Sequence, residues 1–255
     1  HNENSRVKIP ALVHLTRLKY DYLSLKQYNG EICSETNIFK SLFWNGVNRI
    51  NGCSLLEQDI DRLLEELTIK LSNDDLGRAF YKILLDGING LRIIDLEDES
   101  QNTYHVVTEL TYRNGEDEFR PDITLLINGL PLAFIEVKRP NNRDGIIAEH
   151  TRINARFSKE VFRRFVNITQ LMVFSNNMEY DDSDPEPIEG AFYASSSYQK
   201  LFFNRFREEE PQLHTAIQEI DKQKEDFILS DNNLVSIKGT DEYCTNLGEL
   251  TPTNR

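Results

Sequence analysis

A chain of 255 residues, 39% hydrophobic and 28% charged, has the balance of a globular protein with room for a sizeable core, as one large domain or one domain with appendages. Its formal charge of −13 argues against holding nucleic acid by a general basic surface, and no apolar run reaches the roughly 18 residues that cross a bilayer. Cys33, Cys53 and Cys244 are odd in number and lack CxxC spacing, which suggests neither a disulfide framework nor a zinc site and makes the cytoplasm the expected location.

The first eight residues are polar and read as a lead-in, and Pro10 to Leu25 reads as a packed segment without a clear period. From Glu35 to Ile50, the residues Phe39, Phe43, Val47 and Ile50 recur at helical spacing, and Asn51-Gly52 closes that helix. Ser54 and Glu57 have capping-box spacing ahead of a second helix carrying Ile60, Leu63, Leu67 and Leu71. Asp74 opens a third, with Leu76, Ala79, Phe80 and Ile83, that stops before Asp86-Gly87.

The pattern then switches to short β-like runs: Leu91 to Ile94, Tyr104 to Tyr112, and a hairpin in which Ile123 to Ile127 and Leu132 to Val137 flank Asn128-Gly129. A loop with Asn141, Asn142 and Gly145 leads to a helix from about Ile146 to Phe165 and then a buried strand from Gln170 to Phe174. Strand, helix and strand in that order imply a parallel addition to the sheet. Asp181 to Pro187 reads as an acidic solvated loop, Ala191 to Ala194 as an edge strand, Tyr198 to Phe206 and Gln212 to Leu229 as helices, and Gly239 to Arg255 as a linker. The expected class is α/β, a central mixed β-sheet flanked by helices.

The hairpin concentrates the chemistry. Asp122 stands at the start of its first strand; Glu136 and Lys138, two apart, share one face near the end of its second. With a two-residue Asn128-Gly129 loop, Asp122 falls opposite Ile135, away from Glu136. A three-residue loop ending at Leu130, or an equivalent bulge near Asp122, sets Asp122 opposite Glu136. The second register also gathers Ile123, Leu125, Ile127, Ala133, Ile135 and Val137 on one apolar face, and is the one expected.

Two carboxylates, Asp122 and Glu136, with the backbone carbonyl of Val137 suit a hard divalent cation, and Lys138 suits orienting water or offsetting charge on a phosphate. Spacing alone is equally that of a charge cluster on an edge strand. Between Lys138 and Arg164 there are eight basic residues against three acidic ones. Arg152, Arg156, Lys159 and Arg163 would form one stripe of the predicted helix, either a phosphate-binding surface or a solvated face. Of the histidines, only His150 lies near this region, where a structural role is expected. No Gly-x-x-x-x-Gly-Lys-[Ser/Thr] loop for ATP is present.

Arg120-Pro121-Asp122, the Asn-Gly-Leu-Pro-Leu turn and Ile135-Glu136-Val137-Lys138 together resemble the nuclease motif of the R (HsdR) subunit of type I restriction-modification enzymes, in the PD-(D/E)xK superfamily. The resemblance extends more loosely from Glu35 through Phe206. It implies a restriction-endonuclease-like core and Mg²⁺-dependent cleavage of double-stranded DNA, with Asp122 and Glu136 as metal-binding acids and Lys138 as catalytic lysine. It also implies an ATP-dependent motor following the nuclease domain, and methylase and specificity subunits as partners. Glu35 is the candidate for a further metal-binding acid from the first core helix. The family's Gln-x-x-x-Tyr pair has no counterpart, since Ile153 and Phe157 occupy those places. The expected division is a lead-in over 1–34, the nuclease domain over 35–208, and a C-terminal helix and linker over 209–255 toward the motor. The rival readings are a non-catalytic nuclease-fold docking module for the motor and a stand-alone repair nuclease.

Overall fold

The computed structural model describes residues 3–139, 144–176, 190–196, 199–206, 217–240 and 243. The helices are α1 (Ile9–Arg17, entered through a π-helical turn, Asn4–Lys8), α2 (Lys40–Asn51), α3 (Glu57–Leu71), α4 (Arg78–Asp86), α5 (Gly145–Phe157), α6 (Arg163–Ile168) and α7 (Lys222–Asp231). The strands are β1 (Asp21–Tyr22), β2 (Tyr104–Thr108), β3 (Tyr112–Asn114), β4 (Asp117–Phe119), β5 (Ile123–Ile127), β6 (Leu130–Val137), β7 (Leu171–Ser175), β8 (Ala191–Ala194) and β9 (Asn204–Phe206). Seven strands form one mixed sheet in the order β1-β2-β5-β6-β7-β8-β9, while β3 and β4 form a separate hairpin. This is the α/β class expected. As anticipated, β7 joins β6 in parallel across the intervening helices, pairing Ala133 with Leu171 and Val137 with Ser175.

The sheet is covered on both faces. Val106, Ile123 and Val137 pack with Val7, Ile9, Leu12 and Val13 from the N-terminal helix and Ile228 and Leu229 from α7. Phe134, Met172, Phe174 and Phe192 pack instead with Ile146 and Ile153 of α5 and with Phe162 and Phe165. Helices α2, α3 and α4 build a third cluster around Val47, Leu63, Leu67 and Phe80, joined by Leu130 and Leu132 of β6. The expected lead-in is therefore helical from Asn4, and residues ahead of 35 and beyond 209 contribute to the sheet's own core. Tyr243, in the expected linker, is also buried, with its hydroxyl 3.2 Å from Glu225 Oε1.

Several expected boundaries move for local reasons. Helix α2 begins at Lys40 rather than Glu35, because Asn37 closes a turn by donating its N–H to the Cys33 carbonyl (2.7 Å) at a positive φ of 58°. Ser54 does not cap α3; Asp59 does part of that work by accepting the Leu56 N–H at 3.1 Å. Leu91 to Ile94 forms no strand, only a bridge between Ile88 and Leu91.

The last predicted helices also shift. Asn204–Phe206 is a strand outside β8, so β8 is not the edge. Helix α7 starts only at Lys222, where the Asp221 carboxylate accepts the N–H groups of Gln223 (2.9 Å) and Lys224 (3.3 Å). The acidic run 181–187, the loop residues Asn141 and Asn142, and the closing residues 244–255 lie outside the described residues. Among the described residues, no helix is long and apolar enough to cross a membrane.

Helix α1 carries a buried liability. His14 has an Nε2 without a hydrogen-bond partner among the described residues, and burial, with the nearby Arg17 charge, pushes its pKa down from 6.5 to about 4. A histidine held neutral contributes stability that is present above pH 6.5 and lost as pH falls toward 4. His14→Leu is expected to shift the acid-unfolding midpoint, followed by circular dichroism, to lower pH. An unmoved midpoint would exclude His14 as the acid trigger.

Candidate active site

The site begins with the way the β5–β6 hairpin turns. Asn128 and Gly129 both take positive φ, 50° and 77°, giving the two-residue turn that matches strand twist and pairs Ile127 with Leu130. Leu126 then faces Pro131, but Leu125 faces Ala133, so Leu132 is an extra residue on β6. Beyond this bulge Thr124 pairs with Phe134 and Ile123 with Ile135, the register that a three-residue loop would have set. The loop expected from sequence is thus replaced by its equivalent. Leu130 and Leu132 are buried together against α2–α4, which rewards placing the extra residue there. Ile127 is diverted into that same cluster and does not share the face of Ile123 and Val137.

The shifted register carries Asp122 to Glu136. The Val137 N–H donates to Asp122 Oδ2 at 2.9 Å, and the Glu109 N–H to the Asp122 carbonyl at 3.2 Å, fixing the residue by side chain and backbone. The Lys138 N–H donates to the Ser175 carbonyl at 2.8 Å, extending β6 along β7. Lys138 Nζ lies 3.3 Å from Glu136 Oε2, 3.1 Å from the Val137 carbonyl and 3.2 Å from Glu149 Oε2. Beneath these groups Phe134 is wedged between Phe119, Phe165 and Phe174, with ring centroids 5.6, 5.7 and 6.0 Å away, so β6 cannot shift without repacking.

The electrostatics are strained in a telling way. Glu136 is 7% exposed, and its Oε1 has no hydrogen-bond partner among the described residues. Burial, then repulsion from Asp122, pushes its pKa up to about 8 against the opposing pull of Lys138. For Lys138, burial disfavours the charged ammonium, but Glu136 and Glu149 outweigh it and raise the pKa. Two carboxylates facing each other with a free, buried oxygen suit a hard cation, which would favour their ionised forms. Among the described residues, no group of three or more His, Cys, Asp or Glu is arranged to hold a metal.

Other expected site residues are placed elsewhere. Glu35 sits in the turn before α2, its side chain 59% exposed and 2.6 Å from Arg164 Nη1, and takes no part in the contacts around Glu136. The acid that approaches from the first helix is Glu3, whose pKa is raised by burial and by Asp122 and whose carboxylate accepts the Arg139 N–H. Nothing in the polar opening residues marked it. Glu149 was also missed, although a signal existed: it is a charge at i+3 from Ile146 and i−4 from Ile153 on the buried face of α5.

The basic stripe does not form. Helix α5 ends at Phe157, where the Ser158 hydroxyl turns back to the Ala155 carbonyl at 2.9 Å. Arg152 and Arg156 stay on α5, but Lys159 precedes a 3-10 turn and Arg163 opens α6, so the four do not share one helix. Arg152 pairs with Glu149 (2.8 Å), Arg156 lies 4.0 Å above the Phe119 ring, Lys159 pairs with Asp117 (3.0 Å), and Arg163 with Glu160 (3.0 Å) and Asp74 (3.6 Å). Ile153 is fully buried and Phe157 packs on the same cluster, so these positions fill the core. His150 is structural as expected, with Nε2 2.8 Å from the Leu201 carbonyl and its ring 4.6 Å from Phe203.

Residues 1–181 match the family model for the type I restriction enzyme R protein N terminus. The chain belongs to that family. The match takes in α1 and β1, ahead of the boundary expected at residue 35, and includes every residue of the Asp122–Glu136–Lys138–Glu149 group. Three relatives illustrate the similarity. The MjaIXP protein of Methanocaldococcus jannaschii, provisionally named a type I restriction enzyme endonuclease subunit, is 25% identical over 72% of this chain and 19% of its own length. The SsaAORF53P endonuclease subunit of a type I restriction enzyme of Staphylococcus saprophyticus is 28% identical over 60% of this chain and 19% of its own. The HindI type I endonuclease subunit of Haemophilus influenzae is 27% identical over 55% and 15%. The R-protein N-terminal domain described here thus spans under a fifth of these relatives.

Proposed function

We propose that this R-protein N-terminal domain is a Mg²⁺-dependent DNA endonuclease that hydrolyses phosphodiester bonds of double-stranded DNA delivered by an ATP-dependent translocase. It would work in the cytoplasm, in a complex with methylase and specificity subunits. The supporting observation is the buried Glu136 Oε1, without a hydrogen-bond partner among the described residues, beside an Asp122 carboxylate held by the Val137 N–H, with the Lys138 ammonium alongside. Asp122, Glu136 and the Val137 carbonyl would hold the cation. Bound there, it would polarise the scissile phosphate and lower the pKa of a coordinated water. Lys138 orients the attacking water and offsets charge that grows on the phosphate. A net charge of −13 gives the domain little DNA affinity of its own, so delivery by partners fits the composition.

Plasmid cleavage by the complete restriction complex tests this. Asp122→Ala and Lys138→Ala are each expected to lower cleavage by at least about 10²- to 10³-fold, the effect of removing one preorganised electrostatic group, with ATPase activity intact. Wild-type cutting by these variants would remove the proposal.

A non-catalytic docking module is the second reading, favoured by the lack of a three-ligand metal group among the described residues. Calorimetric titration with Mn²⁺ separates the two. Heat that requires Asp122 and Glu136 supports the nuclease, whereas no binding even with DNA present supports the docking module.

A further inference from the structure

We infer that Glu149 is a positioning residue that holds the Lys138 ammonium over Glu136; its catalytic meaning rests on the nuclease reading above, its geometry does not. An ammonium has three N–H donors, and three oxygens surround Lys138 Nζ: Glu136 Oε2, the Val137 carbonyl and Glu149 Oε2. Two of the three lie on β6 within two residues of Lys138 itself. They leave the long side chain free to swing about its own strand. Glu149 reaches in from α5, across the sheet face, and among the described residues supplies the hydrogen-bonding anchor that comes from another element.

Stability gives no reason for an acid at this position. Glu149 is 4% exposed on a helix face whose neighbours one turn away are the buried Ile146 and Ile153. An apolar side chain there would join the core, whereas a buried carboxylate must recover its lost hydration through partners. Those partners are Lys138 and Arg152; the Arg152 side chain is 58% exposed and stands at 2.8 Å, tying Glu149 from the solvent side. The chain from Arg152 through Glu149 to Lys138 therefore ends on the ammonium that the hairpin alone leaves under-anchored. Holding it still offsets the side-chain entropy that a lysine otherwise keeps.

Competitive acylation of the full chain with acetic anhydride, reading Lys138 against Lys40 as reference, tests the anchor without any cleavage assay. Glu149→Met is expected to melt at or above the wild-type temperature, since apolar replacement of a buried ion pair is commonly neutral or stabilising. Its Lys138 is expected to be acylated about tenfold faster relative to Lys40, the equivalent of about 1.4 kcal/mol of lost anchoring. Should that variant fail to fold, Glu149→Leu, which also removes both acceptor oxygens, is read the same way. Wild-type protection of Lys138 in the folded variant overturns the inference.

In the complete complex the same variants are expected to cleave about 10- to 100-fold more slowly, the usual cost of losing a group that orients a functional side chain. Wild-type cleavage by a folded Glu149 variant, in an assay where Lys138→Ala is inactive, also overturns the inference while leaving the nuclease reading in place. Wild-type cleavage by Lys138→Ala overturns the nuclease reading instead.

Discussion

Glu136→Gln is expected to make the metal-free chain more stable at pH 8 while cutting cleavage by the complex about 10²- to 10³-fold. The first effect follows from where Glu136 sits. Burial and the facing Asp122 carboxylate raise its pKa from 4.5 to about 8, so between those values the folded chain keeps a proton that the unfolded chain gives up. The sign is that of a raised carboxyl: its favourable contribution is complete below pH 4.5 and is lost as pH rises through 8. Urea unfolding at pH 5 and pH 8 is expected to show wild type losing on the order of a few kcal/mol across that window through this group, and Glu136→Gln lacking that loss. Mg²⁺ is expected to flatten the wild-type slope, because a cation between the acids favours the ionised form. Parallel pH profiles for the two proteins would mean that Asp122 and Glu136 do not confront each other as described. The cost in stability is the kind a functional site carries, since an amide in the same volume would sit there more comfortably.

Gly129→Ala is expected to destabilise the domain by about 2–5 kcal/mol, from left-handed strain together with overpacking. Gly129 has φ 77°, and a Cβ built on it falls 2.7 Å from the Phe39 carbonyl oxygen, 2.9 Å from Leu42 Cβ and 2.9 Å from the Phe43 nitrogen. Two of those atoms are backbone at the start of α2 and cannot step aside. The approach is that close because the Phe39 N–H donates to the Gly129 carbonyl at 3.0 Å. Beside it the fully buried Asn128 accepts the Thr103 N–H (2.9 Å) and donates to Asn102 Oδ1 (2.8 Å) and the Ile93 carbonyl (3.2 Å). Gly115 is the control: its φ is 64°, but nothing lies within 4 Å of its added Cβ, so Gly115→Ala is expected to cost only about 1 kcal/mol. Thermal unfolding of both variants decides the matter. Equal losses would show that the β5–β6 turn is not docked on α2. If the turn is docked, loosening it also frees the register that carries Asp122 to Glu136.

The candidate site divides by the range of the interactions that build it. Asp122, Glu136 and Lys138 were legible because a hairpin is a local object: strand alternation and an Asn-Gly turn place those residues before any other element is known. The displaced bulge shows where local reasoning stops. Alternation demands one extra residue on β6 but does not say where, and burial of Leu130 and Leu132 against α2–α4 selects Leu132. Glu35 as an acid on the first core helix follows from the resemblance and the basic stripe from spacing along one long helix, and both assumed helices give way to short-range competition, the Asn37 turn in one case and the Ser158 hydroxyl in the other.

By itself, the sequence determined the α/β class, the three N-terminal helices, the parallel pairing of β7 with β6 and the presence of two acids and a lysine at one end of a hairpin. These follow from periodicity and turn chemistry, which act over a few residues. Only the tertiary structure decided that Asp122 reaches Glu136 through a bulge, that Glu3 rather than Glu35 approaches from the first helix, and that Glu149 closes on Lys138. Those contacts join residues far apart in the chain, and packing of the sheet between α1 and α5 brings them together.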